Sequence, residues 1–290
     1  MNIRQSNWWR MLRLVLRFFI VTFISALMFV PFLWMLCSAF KGPGEVEGLN
    51  FWPQVFHPKN FLIILRLCED PFSEQYLQVQ LLRYILNSIF VASWVTVLQV
   101  TTSCMAAYAF SRIEWRGRNQ VFLMYLATMM IPGLVLTIPV FQIMVSLNLV
   151  NSFTGLILPG ACSAFGTFML RQFMLGIPLS YDEAARIDGA GHFQIFTEII
   201  LPLAKPGIIT LAIFTFLGSY RNLMWPLIMV KSDYLRTVPI GLLSFMGDKG
   251  GRVELLLAAT VVCIIPLILI FVICQKKLIS GINLGGGVKG

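Results

Sequence analysis

Apolar residues fall into six long blocks, roughly 14–39, 87–110, 121–148, 151–173, 207–230 and 253–274, separated by more polar stretches. A helix needs about 20 residues to cross the hydrocarbon core of a bilayer, and each block reaches that length. The pattern predicts an all-α membrane protein with six transmembrane helices. It divides the chain into an N-terminal segment over 1–13, a membrane domain over 14–277 and a glycine-rich tail over 278–290. The first block is too long for a signal peptide and lacks an evident small-residue cleavage site, so it reads as a retained span.

Two polar stretches carry structure of their own. Lys41 to Leu82 holds Pro43, Pro53, Pro58 and Pro71 with Gly42, Gly44 and Gly48, which predicts turns. A short helix is expected there near Lys59-Asn60-Phe61. The second stretch lies within 178–205, a loop whose central run is YDEAARIDGAGHFQIFTEIILP from Tyr181 to Pro202. Ser180 as N-cap puts Glu183 at the third helical position, the S-x-x-E capping box. Gly189 and Gly191 supply a sharp exit. His192 to Ile200 then places Phe193, Phe196, Ile199 and Ile200 on one helical face, with Pro202 and Pro206 closing the segment. The prediction is a helix–Gly–helix hairpin that docks a partner.

Breakers and small residues mark the spans themselves. Pro132 and Pro139 interrupt the third, either as a plain kink or as an irregular helix beside a pathway, since freed carbonyls need neighbouring helices. Pro159 lies in the fourth, where Gly155, Gly160 and Gly166 offer close-packing faces. One ionisable residue, Arg221, falls within the fifth block. An arginine at mid-span costs roughly 2.5–3.5 kcal/mol. The Ile, Leu, Phe and Val residues of that block offset it by roughly 5 kcal/mol. Three-and-four spacing would put Gly218, Arg221, Asn222 and Trp225 on one polar stripe.

Composition agrees with a membrane setting. The chain is 58% hydrophobic and 12% charged, where soluble domains carry about 25% charged residues. The net charge of +9 sits in loops rather than in one patch, which argues for basic inner loops and against nucleic acid. With both termini in the cytoplasm, Lys and Arg number 13 inside against 8 outside. The loop 231–252, with Lys231, Arg236, Lys249 and Arg252, runs against that trend. The six cysteines form no Cys-x-x-Cys, so no metal site or disulfide framework is indicated. No P-loop, H-E-x-x-H or G-x-S-x-G occurs, and His57 and His192 are the only histidines. An intramembrane enzyme thus has no nucleophile–base pair to rest on, and no catalytic residue is assigned.

The order Glu183-Ala184-Ala185, Gly189, Ile199 and Leu201-Pro202 resembles the EAA loop of permease subunits of binding-protein-dependent ABC importers. From Asn87 onward, Ala106 to Arg112, Met130-Ile131-Pro132, Phe214 to Leu217, Trp225-Pro226-Leu227 and the terminal Gly-Val-Lys-Gly are similar to the carbohydrate, maltose-type class. The resemblance implies a bacterial-type inner-membrane subunit importing a sugar or related polar solute by alternating access. It implies a second permease, two ATPase subunits that bind ATP and magnesium, and an extracytoplasmic solute-binding protein. This chain itself would hold no cofactor. Glu183, Ala184, Ala185 and Gly189 would seat in a cleft of the ATPase, and Lys289-Gly290 would reach the same interface. Members commonly carry Trp-Asn where this chain has Tyr220-Arg221, so Tyr220, Arg221 and Asn222 are candidates for facing the pathway or the partner permease. Arg221 either meets an acidic solute, pairs with a partner acid, or snorkels. A multipass scaffold or sensor that docks a soluble partner without transport is the alternative reading.

Overall fold

The computed structural model describes residues 3–48, 50–68, 79–246 and 251–285. Every regular element among the described residues is helical. The chain forms two compact units, Met1–Val79 with Leu242–Val262, and Gln80–Gly241 with Cys263–Gly290.

In the first unit, α1 spans Ile3–Ser38. It begins inside the basic N-terminal segment, because Arg, Gln, Met and Leu are good helix formers and no Pro or Gly before residue 14 breaks the run. Its apolar part, Arg10–Ser38, is long enough to cross a membrane. After it, side chains organise a short knot. Lys41 is buried and donates to the Asn50 carbonyl at 2.6 Å. Asn60, on α2 (Lys59–Ile64), donates to the Ala39 and Lys41 carbonyls at 2.9 Å each. The Glu45 carboxylate accepts from the backbone N–H groups of Gln54 and Gly42, which hold its pKa below the usual value. The short helix expected near Lys59 is therefore present. Pro71 and the rest of 69–78 lie outside the described residues.

The second unit is built on α3, Leu81–Arg112. The third block is two helices, α4 (Arg118–Ala127, extended by a 3₁₀ turn to Met130) and α5 (Gly133–Ser146), at 99° to one another. Pro132 sits at the bend, whereas Pro139 lies inside a continuous α5. The fourth block is α6 (Phe153–Ile157, with a 3₁₀ turn to Gly160) and α7 (Ala164–Leu175), bent by 45°. The break falls after Pro159, where Ser163 caps α7 by accepting from the Gly166 N–H at 3.0 Å. Small residues do permit close packing here. A Cβ on Gly160 would lie 2.8 Å from Val95, and one on Gly166 2.6 Å from the Ser103 hydroxyl.

α8 (Ser180–Ile187) and α9 (His192–Leu203) follow. The fifth block differs most from expectation. α10 covers Lys205–Tyr220 and stops, and a separate α11 covers Met224–Met229. α9 and α10 meet at 75°. Pro206 therefore opens α10, at its first turn, rather than closing the preceding segment. The loop 231–252 contains α12 (Val238–Leu243), and residues 247–250 lie outside the described residues. α13 runs Val253–Gly285, so the backbone stays helical into the glycine-rich tail. Gly286–Gly290 lie outside the described residues, with the expected Lys289-Gly290 contact. Among the described residues, three helices are long and apolar enough to span a bilayer alone, or up to six spans if each bent pair counts as one.

Among the described residues, two apolar clusters run through the second unit. One gathers Tyr108, Leu170, Met174, Ala185, Ile195, Ile200 and Leu211, and so ties the polar hairpin to α3, α7 and α10. The other gathers Val91, Val95, Met144, Leu156 and Met229.

Candidate functional site

The hairpin is α8, a glycine turn and α9. Ser180 is the first helical residue, and the N-cap position falls to Leu179, whose side chain bonds nothing. The S-x-x-E box does not form. The helix start is stabilised instead by Asp182 and Glu183 in its first turn, where carboxylates meet the positive end of the helix dipole. Asp182 turns inward. Its Oδ2 lies 3.0 Å from Nη1 of Arg112, the last residue of α3, and the two are 4% and 6% exposed. Nη2 of Arg112 also donates to the Met174 carbonyl and, at 2.7 Å, to the Ile177 carbonyl. One guanidinium thus joins α3, the end of α7 with the residues after it, and α8.

α8 ends in a Schellman motif. The Ala190 N–H bonds the Ala185 carbonyl at 2.9 Å and the Gly189 N–H bonds the Arg186 carbonyl at 3.0 Å. Gly189 has φ +83°. A Cβ there would meet nothing within 4 Å, so glycine is required by torsion and not by space. Gly191 plays another part. Its backbone is extended, φ −78°, and it caps α9, with its N–H bonded to Oε1 of Gln194 at 3.1 Å.

α9 contains a π turn over Ile195–Ile200. That turn changes which residues face inward. Ile195 and Ile200 are 1% and 0% exposed, whereas Phe193 is 76% exposed and leaves the face expected for it. Phe196 and Ile199 pack at the edge of the core. Tyr108 fixes the start of α9 by donating to the His192 carbonyl at 3.0 Å, and its ring lies 5.0 Å from that of Phe196. Glu183, Ala184, Arg186, Ile187, Gly189 and Phe193 remain on the open side, while Ala185 faces the core. Three of the four residues singled out in the loop are therefore outward, and Ala185 serves packing.

A second feature is a cavity of about 380 Å³ walled by α3, α5, the α6 turn and α10. Its polar lining is Gln99, Thr215, Ser219 and Asn222, with Trp225 beside them. Gln99 donates to the Thr215 hydroxyl at 2.9 Å. Trp225 is fixed by its indole N–H, which donates to the Gly155 carbonyl at 3.0 Å. Gly133 and Val140, next to the two prolines of the third block, line the same space. Of the stripe expected on one face, Gly218, Asn222 and Trp225 line it and Arg221 does not; of the candidates Tyr220, Arg221 and Asn222, Asn222 alone does. Tyr220 is buried and donates to the Cys263 carbonyl at 3.0 Å. Arg221 caps α10 rather than sitting inside a helix. Its backbone N–H and its Nε both reach the Leu217 carbonyl, at 3.2 Å each, and it is exposed. Because α10 stops there, the stripe expected on a continuous helix is broken at its charged member.

Arg112, Asp182, Gln99, Thr215 and Ser219 are the residues that reading the sequence passed over. A signal existed for some of them. Thr215, Ser219 and Asn222 recur at four and three residues, the spacing of one helical face. Asp182 stands three residues before Ala185, on the inward side of α8.

Residues 99–283 match the family described as the binding-protein-dependent transport system inner membrane component. The arabinooligosaccharides transport system permease protein of Bacillus subtilis is 34% identical over 99% of this chain and 100% of its own length. The trehalose/maltose transport system permease protein of Thermococcus litoralis is 32% identical over 90% of this chain and 91% of its own. Among solved structures, a chain of a bacterial ABC transporter involved in the import of the acidic polysaccharide alginate superposes with TM-score 0.75 at 22% identity, covering 95% of this chain and 98% of that one. That likeness speaks to the fold, which it shares almost end to end. On the family match and the full-length relatives, this chain belongs to the family of binding-protein-dependent transport system inner membrane components.

Proposed function

We propose that the chain forms one half of the translocation pathway for a sugar or related polar solute, in a complex with a second, different permease, two ATPase subunits and an extracytoplasmic binding protein. ATP and magnesium act on the ATPase subunits. Both termini face the cytoplasm and the spans number six, so that the α8–α9 hairpin lies on the ATPase side. Support for the solute class comes from relatives named for arabinooligosaccharide and trehalose/maltose transport.

One observation carries the coupling role. The hairpin is locked from behind by the Arg112–Asp182 pair and the apolar core, while Glu183, Ile187 and Phe193 stay outward, Ile187 at 86% exposure. An anchored helix whose outer face carries Glu183, Arg186 and exposed apolar side chains is a rigid docking element. ATP-driven closure of the ATPase pair would move two such elements together, and the packed helices would switch between inward-open and outward-open arrangements. Solute uptake and ATPase activity, measured together in membranes, test this. Glu183→Ala should lower uptake while the chain stays inserted, and Gly189→Val should lower it further, because a β-branched residue resists positive φ. Normal uptake in both variants would remove the docking role.

A further inference from the structure

The turn between α3 and α4 gathers positive charge. Arg116 is exposed in it and Arg118 opens α4. Arg171 joins them from α7. Its Nε donates to the Phe110 carbonyl at 3.1 Å, and its guanidinium lies 4.2 Å from the centre of the Phe122 ring. Arg118 donates from Nη1 to the Ile113 carbonyl at 3.2 Å. The charge that bears on Arg171 is that of Arg118. Among the described residues, no carboxylate lies within 4.0 Å of either arginine. Each guanidinium is thus aimed by one fixed bond and keeps further N–H groups for an anion. Glu114, the acid nearest in sequence, is exposed and is outnumbered by the three arginines.

The place of this cluster points to the anion. α3 is long enough to cross a bilayer, α4 opens the next bent pair, and residues 113–117 alone join them, so the turn lies at a bilayer surface. Trp115 is exposed on it, and tryptophan favours the level of the head groups. Its ring lies 5.9 Å from that of Phe110, which also holds Phe122 at 5.3 Å, so indole and arginines share a packed aromatic base. Beyond Arg118 the exposed side of α4 turns apolar, with Leu123 and Met124 exposed at 65% and 63%. Leu123 follows Arg118 by about 7.5 Å along a helix rising ~1.5 Å per residue. Cations at the surface followed by an apolar face match a molecule that presents a phosphate and then acyl chains. A soluble anion would leave the apolar face bare.

We propose that Arg116, Arg118 and Arg171 bind the phosphate of an anionic phospholipid of the phosphatidylglycerol type, with Trp115 beside the head group and the acyl chains along Leu123 and Met124. Arginine suits the task because its planar fork gives a phosphate two parallel hydrogen bonds. A hollow of about 290 Å³ between Trp115, Arg118, Asn119 and Gln120 receives the glycerol of the head group. Glu114 and Gly117 complete its lining, and the Glu114 carboxylate accepts from a hydroxyl there. A zwitterionic lipid brings its own cation to the same arginines and gains less from them. The leaflet is the inner one on the orientation proposed above, while the site itself is independent of the solute carried.

The test uses the assembled transporter in detergent. Phosphatidylglycerol carrying a diazirine near the start of one acyl chain is added, the sample is irradiated, and labelled peptides are read by mass spectrometry. Labelling should fall on the peptide holding Leu123 and Met124. Unlabelled phosphatidylglycerol should compete it away, whereas phosphatidylcholine and free glycerol phosphate at equal concentration should not. Arg116→Gln/Arg118→Gln should lower labelling at least about tenfold, since each cation near an anionic head group adds severalfold to binding. Arg171→Lys, which keeps the charge but loses the fork, should lower it less. Labelling elsewhere only, or an equal yield from a phosphatidylcholine probe, would overturn the site. Competition by free glycerol phosphate would replace the lipid with a small anion. Unchanged labelling in the double glutamine variant would remove the arginines from it. Loss of the assembled complex in that variant would assign them to acids of a partner subunit instead. Solute uptake is not read in any arm, so failure here leaves the importer reading standing.

Discussion

Two long helices of the same unit run up to an arginine, and the two cations meet opposite surroundings. α3 ends at Arg112, buried against Asp182 and two carbonyls from the end of α7 and beyond. α10 stops at Tyr220 and passes to Arg221, exposed and bonded only to the Leu217 carbonyl of its own helix among the described residues. Both cations complement the negative end of a helix, a contribution of about 0.3–1 kcal/mol at an exposed site. Only Arg112 also joins separate elements. The residue type and its place at a helix end are the same, so the difference comes from what the next segment brings back. After α3 and α7 the chain returns with Asp182. Beyond α10 it continues into the uncharged cavity wall.

The largest expected effect follows from breaking the buried half of the comparison. Arg112→Met or Asp182→Ala alone leaves one charge unpaired in the core, which costs about 3–5 kcal/mol. Each should make the α8–α9 hairpin sensitive to limited proteolysis in membranes and lower uptake at least about tenfold, a change of ~1.4 kcal/mol in effective coupling. The double variant Arg112→Met/Asp182→Leu removes both charges and should recover most of the protease resistance, since apolar replacements of buried pairs are often near neutral. If the two single variants behave like the unmodified chain, the anchor has no role.

A smaller effect separates torsion from packing in the same hairpin. Gly189→Ala should cost roughly 1–2 kcal/mol of hairpin stability, the penalty for a Cβ in the left-handed region. Gly189→Asn should cost less, because asparagine visits that region readily. The open space around the position predicts this order. Equal proteolysis rates for the alanine and asparagine variants would mean that a contact and not φ +83° governs the site.

How much of this was legible follows from what each signal measures. The apolar blocks fixed the helical class, because only burial in lipid or protein accommodates such runs. The glycine turn was legible because φ > 0 demands a residue type. The inward face of α9 was not. Three-and-four spacing assumes 3.6 residues per turn, and the π turn over Ile195–Ile200 shifts the face so that residues five apart, Ile195 and Ile200, point inward together. The end of α10 was missed for a related reason. Arg221-Asn222 sits inside a continuous apolar block, and a polar pair there reads equally as a stripe on a helix or as the stop that it is. The Arg112–Asp182 pair joins residues seventy positions apart, a contact that no local pattern encodes. The serine expected to cap α8 failed because the helix begins one residue earlier than the box requires.

The smallest effect is expected at Arg221, and it sharpens the exposed half of the comparison. Removing an exposed helix-end cation costs about 0.3–1 kcal/mol, so Arg221→Met should insert normally and leave uptake within about fivefold of the unmodified chain. Arg221→Asn restores the residue type common in the family and should leave the preference between uncharged and acidic sugars unchanged. These outcomes follow from the guanidinium lying outside the cavity while Asn222 lines it. Two measurements discriminate the alternatives. A changed preference in Arg221→Asn would bring the arginine into the pathway in a conformation other than this one. A lower yield of assembled complex in both variants, with preference intact in what remains, would assign Arg221 to an acid on the partner permease. Asn222→Leu is the matched control. It removes an amide from the cavity wall without touching the helix-end charge, so it should lower uptake where Arg221→Met does not.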